Sequence, residues 1–143
     1  MNTEETNFFR LPFCSASSGW VVQIVQTFID GQNLEQELEV EGAFNESKIR
    51  HLLRDLLPVL QFLHENHVIH RDIKPSNIIR RGSDGKLVLV DFGTARYVTG
   101  TFLARTGTVI GSAAYIAPEQ LMGKTVYASD LYSLGVSCIH LLT

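Results

Sequence analysis

Residues 70–77 read His-Arg-Asp-Ile-Lys-Pro-Ser-Asn. A carboxylate (Asp72), an ammonium (Lys74) and a carboxamide (Asn77) therefore sit close together just after an apolar helical pattern. A second carboxylate, Asp91, directly follows the apolar run LVLV at 87–90. If the short apolar segments beside these residues are neighbours in the fold, the four groups converge. Two carboxylates and an amide are hard oxygen ligands, the kind Mg²⁺ accepts while sharing its shell with water and substrate phosphates. The ammonium suits a transferring phosphoryl group, and one of the two carboxylates can instead receive a hydroxyl proton. That set is equipped for phosphoryl transfer from a nucleotide to an alcohol.

The surrounding pattern says how these groups are carried. Ile49, Leu52, Leu53, Leu56, Leu60 and Leu63 fall at helical spacing. Asn45 stands where an N-cap belongs, and Glu46 suits the first-turn dipole. Pro58 lies inside this helix and is expected to kink or locally unwind it. Val68-Ile69, Ile78-Ile79 and 87–90 read as short strands, the last two joined by a hairpin through Asp84-Gly85. Upstream, 8–13 and 20–26 read as strands, with Pro12 at an edge. Residues 27–34 read as a connector with Asp30-Gly31 as its turn. A short helix over 33–39 follows, N-capped by Asn33. Residues 91–118 are rich in Gly, Thr and Ala and have no period, which points to a functional or disordered loop. A last apolar helix is expected to start at Ser129 or Asp130.

Composition narrows the classes. The chain has 143 residues, is 45% hydrophobic and carries a net charge of −3, enough for one core and the wrong sign for a nucleic-acid partner. No window reaches the ~18 apolar residues of a membrane span. The first ten residues are polar and acidic, unlike a signal peptide. Cys14 and Cys138 are far apart and read as free thiols, which makes a cytoplasmic location the expectation. His64, His67 and His70 recur every three residues, but no acid or cysteine completes a metal site with them.

The three ordered motifs HRDIKPSN (70–77), DFG (91–93) and APE (117–119) resemble the catalytic loop, metal-binding motif and activation-segment end of eukaryotic-type protein kinases. The gaps, 13 residues between Asn77 and Asp91 and 23 between Gly93 and Ala117, are similar to the family's. The wording is similar to bacterial, particularly cyanobacterial, serine/threonine kinases. The resemblance implies an α+β, protein-kinase-like fold, with ATP and Mg²⁺ as cofactors and a protein bearing Ser or Thr as substrate. It implies that Asp72 orients the substrate hydroxyl, that Lys74 contacts the γ-phosphate, and that Asn77 and Asp91 hold Mg²⁺. Arg71 would pair with a phosphate on the activation loop, for which Thr106 and Thr108 are candidates. Ser112 lies where the family usually has a threonine near the catalytic aspartate. Asp130 matches the helix-start aspartate that hydrogen-bonds the catalytic-loop backbone. Gln26 matches the position limiting the back pocket, and Thr27 and Ile29 would offer backbone groups to adenine.

The same resemblance predicts parts that these residues do not contain. Residues 1–19 hold no lysine and no G-x-G, so the glycine-rich loop and its strand lysine are expected elsewhere. Glu119 lacks the arginine that the family places further on, and is expected to turn to water. The chain thus reads as a partial kinase domain. Residues 1–26 form the end of the small lobe, and 27–143 the hinge and the mainly helical first half of the large lobe. Its possible partner is the remainder of that domain. The 143 residues alone are expected not to be a competent kinase. The rival readings are a pseudokinase-like binding or regulatory fragment, and a small-molecule phosphotransferase of similar fold. The latter fits HRD and APE poorly.

Overall fold

A computed structural model describes residues 28–92, 96–97 and 113–143. The strands expected at 8–13 and 20–26, and Cys14, Gln26, Thr27, Gly93, Thr106, Thr108 and Ser112, lie outside the described residues. The elements run β1 (Gly31–Asn33), α1 (Leu34–Glu41), α2 (Glu46–Glu65), β2 (Val68–Ile69), a 3₁₀ turn (Pro75–Asn77), β3 (Ile78–Arg81) and β4 (Leu87–Leu89). They continue with β5 (Arg96–Tyr97), a second 3₁₀ turn (Ala113–Tyr115), α3 (Pro118–Leu121) and α4 (Tyr127–Leu142). The fold is α+β. An antiparallel sheet ordered β1-β3-β4 packs on the helices, and β2 pairs antiparallel with β5.

Helix α2 organises the core. Its stripe Ile49, Leu52, Leu56, Leu60 and Leu63 is buried, and Leu53 packs against the same cluster. Asn45 caps it by accepting from Lys48 N at 2.9 Å. The expected unwinding at Pro58 does not occur, and the helix is continuous over 46–65. Pro58 is solvent-exposed, so the carbonyl one turn back that lost its donor can turn to water. Asp55 reaches across to accept from Leu87 N at 3.0 Å, giving the first residue of β4 a partner.

Gly31 corrects the sequence reading. It is not a turn residue but the first residue of β1, paired with Arg81. An added Cβ would stand 2.1 Å from the Arg80 carbonyl oxygen. The glycine is there for close approach of two backbones, which local sequence cannot signal. The β3–β4 hairpin follows expectation, with Gly85 in the left-handed region (φ 72°). Arg81 donates to Asp84 within this turn and holds its exposed carboxyl down to about 2.

Helix α1 begins with a reciprocal cap: Asn33 Oδ1 accepts from Gln36 N at 2.9 Å, and Gln36 Oε1 from Asn33 N at 3.2 Å. Its buried Glu37 clamps three elements. Glu37 Oε2 accepts from Arg80 Nε of β3 at 2.8 Å, and Oε1 from Lys48 Nζ of α2 at 2.9 Å. Burial raises the Glu37 carboxyl, but these two cations, donating and attracting, outweigh it and hold the group below its usual 4.5. Because the folded carboxyl titrates below the unfolded one, its contribution is complete above the unfolded value. It disappears as pH falls through the folded value. Glu37→Gln is expected to destabilise by about 2–3 kcal/mol at neutral pH, less than a fully buried pair because both cations are partly exposed. It should also flatten the acid limb of a stability–pH profile measured by urea unfolding. An unchanged acid limb would remove Glu37 as its source.

Helix α4 starts at Tyr127, earlier than expected. Val126 N donates to Ser129 Oγ at 3.1 Å and Ser129 N to Val126 O at 3.0 Å, so Ser129 serves the first turn from inside it. Leu134, Cys138 and Leu141 join the core, and burial raises the Cys138 thiol. The strand β5 and the 3₁₀ turn at 113–115 interrupt the stretch read as an aperiodic loop. Each is too short to leave a period in the sequence.

Candidate active site

The loop from β2 to the first 3₁₀ turn is held from three sides. From α4, buried Asp130 accepts from His70 N through Oδ2 and from Arg71 N through Oδ1, both at 2.9 Å. From the last turn of α2, His64 Nε2 lies 2.9 Å from the same Oδ2. From α3, Gln120 Nε2 donates to the Arg71 carbonyl at 2.9 Å. Arg71 is left-handed (φ 73°), as are His67 (φ 60°) and Asp91 (φ 62°), and such backbone persists only where its surroundings hold it.

His70 ties this loop to the strand that leads into Asp91. Its Nδ1 accepts from Asp72 N at 3.2 Å and its Nε2 donates to the Val90 carbonyl at 3.0 Å. That pattern requires the neutral ring with hydrogen on Nε2. Burial lowers the His70 pKa. The Val90 carbonyl and the charges of Asp130, Asp72 and Asp91 oppose that effect but do not overcome it. The His70 ring meets buried Phe92 edge-on at 4.7 Å. Val90 N also donates to Asn77 O at 2.9 Å, one step beyond the Ile78–Leu89 pair of the β3–β4 ladder. Val68-Ile69 and 87–90, the segments whose nearness the sequence reading assumed, do not pair with each other: β2 pairs with β5, and β4 with β3. The His70 and Asn77 hydrogen bonds to Val90 are what join residues 70–77 to the segment that leads into Asp91.

Within the loop, Asn77 Nδ2 donates to the Asp72 carbonyl at 2.8 Å and to Asp72 Oδ2 at 3.1 Å. Lys74 Nζ stands 3.5 Å from Asp72 Oδ2. Both ionic side chains are about a fifth exposed, so solvent and substrate can reach them. Asp91, directly after Val90, is exposed. Since the Asn77 nitrogen is committed to Asp72, its oxygen is the end left for a cation. This fits the hard-oxygen preference of Mg²⁺.

The remaining sequence candidates are distributed as follows. Ile29 is partly buried just before β1. Glu119 does not turn to water; its Oε1 accepts from Ser129 Oγ at 2.7 Å. Sequence reasoning missed Gln120, and weighed His64 only as one of three evenly spaced histidines without a metal site. It also missed Tyr115, whose hydroxyl lies 2.5 Å from His140 Nδ1 and whose carbonyl accepts from Ser133 Oγ at 2.6 Å. His67 Nδ1 lies 3.1 Å from the Tyr127 hydroxyl. None of these pairings carries a local signal, because the partners are far apart in the chain.

The protein kinase domain family matches residues 11–143 of this chain. Serine/threonine-protein kinase B of Synechocystis sp. is 43% identical over 128 residues, 84% of this chain and 22% of the relative. Serine/threonine-protein kinase PknA of Nostoc sp. is 47% identical over 125 residues, again 84% of this chain and 22% of the relative. Serine/threonine-protein kinase PknB of Mycobacterium tuberculosis is 37% identical over 129 residues, 88% of this chain and 20% of the relative. The chain therefore spans about a fifth of the length of these curated relatives. With the family matched over residues 11–143, the chain belongs to the protein kinase family, as a serine/threonine kinase by resemblance.

Proposed function

We propose that this chain supplies the hydroxyl-activating and metal-holding part of a site that transfers the γ-phosphate of ATP to Ser or Thr of a protein. The observation carrying this reading is the pair of hydrogen bonds that join His70 and Asn77 to Val90, the residue before Asp91. Asp72 receives the hydroxyl proton, and Asn77 keeps its carboxylate aimed. Lys74 neutralises charge on the transferring group. Asn77 and Asp91 are the residues that would hold Mg²⁺, which when bound offsets the negative charge of the phosphates. Gln26, Thr27 and Ile29 border the adenine. Arg71 pairs with a phosphate carried by Thr106 or Thr108, and Ser112 stands near Asp72. The protein acts in the cytoplasm, on protein and not on nucleic acid. No helix among the described residues is long and apolar enough to cross a membrane.

Residues 1–27 contain no lysine, so these 143 residues lack a strand lysine ahead of the hinge to clamp the α- and β-phosphates. Alone they are expected to bind Mg²⁺-ATP but to transfer little phosphate. Calorimetric titration of the 143-residue chain with Mg²⁺-ATP tests the reading. Metal-dependent binding that disappears in Asp91→Ala is the expected result. A folded chain that binds no nucleotide would favour the non-catalytic, pseudokinase-like reading.

A further inference from the structure

Arg71 holds a backbone conformation that costs a non-glycine residue, and both of its peptide groups are gripped by side chains from elsewhere. Its N–H is taken by Asp130 of α4 and its carbonyl by Gln120 of α3, each at 2.9 Å. The next residue is Asp72. The two grips come from different elements, so neither duplicates the other.

Gln120 keeps its grip at a cost. Its Oε1 is buried and has no hydrogen-bond partner among the described residues. Turning the amide over would not relieve this, because Oε1 would then face the Arg71 carbonyl oxygen, acceptor against acceptor. A buried acceptor left unsatisfied calls for an explanation. Here the explanation is the other end of the same amide, whose donor fixes a strained peptide next to the catalytic loop's carboxylate. The helix that carries Gln120 is anchored in turn. Glu119 accepts from Ser129 Oγ at 2.7 Å, and the preceding Tyr115 carbonyl accepts from Ser133 Oγ at 2.6 Å.

We propose that Gln120 is a positioning residue for Asp72: by holding the Arg71 carbonyl it sets the 71–72 peptide and so the direction of the Asp72 carboxylate. The inference rests on the reading of Asp72 as the proton acceptor. It adds that residues 113–121 act on Asp72 through one side chain. A shift of α3 relative to α4 would release Arg71 and misaim Asp72 without touching the nucleotide side of the site.

Gln120→Glu keeps the shape but offers no donor at neutral pH, and Gln120→Met removes the amide altogether. In the isotope-labelled 143-residue chain, both are expected to shift the Arg71 carbonyl carbon and the Asp72 amide resonances, with distant resonances unmoved. In the protein that carries this chain, both should lower kcat for a Ser/Thr peptide by ~10–100-fold, the scale of a small misplacement. KM for ATP should stay unchanged. Unmoved Arg71 and Asp72 resonances would overturn the proposal. So would kcat and KM changing together in step with lost stability. If Gln120→Glu fails to fold, Gln120→Met decides. Absence of transfer in the unsubstituted protein would instead overturn the functional reading, while the resonances would still decide whether Gln120 holds Arg71.

Discussion

Asp72→Asn is expected to lower phosphoryl transfer by ~10²–10⁴-fold, the usual worth of a positioned general base. The substitution keeps the size of the side chain and an oxygen that can still accept from Asn77 Nδ2. It removes only the basic carboxylate and the charge facing Lys74 Nζ at 3.5 Å. Thermal stability and Mg²⁺-ATP affinity should therefore stay close to those of the unsubstituted protein. The measurement is γ-phosphate transfer to a Ser/Thr peptide by the protein carrying this chain, at saturating Mg²⁺-ATP. A variant that keeps more than about a tenth of the rate, where loss of a general base predicts far less, would take Asp72 out of that role. The His70 ring adds a structural reason for the aim of Asp72. Its neutral Nδ1 accepts from the Asp72 amide, and burial keeps the ring neutral.

The largest loss of stability is expected at Asp130. Its carboxylate is 1% exposed and accepts from two backbone amides and from the His64 ring side. Asp130→Ala leaves the His70 and Arg71 amides without their acceptor, in a place that water reaches poorly. It also withdraws one of the two grips on left-handed Arg71. Breaking a buried, hydrogen-bonded charge in this way typically costs ~3–5 kcal/mol. That is a large share of a domain's total stability. Urea unfolding should show the midpoint falling with little change in slope. Amide exchange at His70 and Arg71 should quicken more than the global loss alone requires. A variant within about 1 kcal/mol of the original, an ordinary surface effect, would show that Asp130 is not what holds the loop. Asp130→Asn, which keeps one acceptor oxygen, should fall between the two.

Much of this arrangement was legible because it is written at short range. Asn33 and Asn45 lie within three residues of the amides they cap, and a capping side chain needs only its own chain neighbours. The α2 stripe repeats with the helix turn. The β3–β4 hairpin announces itself through Asp84-Gly85, where a left-handed glycine closes the turn. The motif residues were legible by resemblance, and their convergence was conditional on two strands being neighbours. Those two strands, 68–69 and 87–90, lie in different sheets, and it is the His70 and Asn77 contacts to Val90 that join the two segments instead.

Where local sequence misled, a distant partner had decided the outcome. Gly31 carries a turn residue's signature, yet it serves a strand because Arg80 passes over it. Pro58 is expected to kink or locally unwind its helix, and the unwinding does not occur, since at its exposed position the freed carbonyl can turn to water. Ser129 reads as a helix cap, yet α4 begins before it and Ser129 reaches back to Val126 while holding Glu119.

The sequence by itself determined the family, the chemical identity of the loop, the helix caps and the apolar stripe. These depend on residue type and on spacings of a few positions, over which the backbone's own geometry is enough. Only the tertiary structure decided what holds the loop in place. His64 and Asp130 meet across 66 positions, Asp130 and Arg71 across 59, and Gln120 and Arg71 across 49. Such contacts form only when the core closes and brings α2, α3 and α4 around one strained residue, and no local period encodes which side chains will then be within reach.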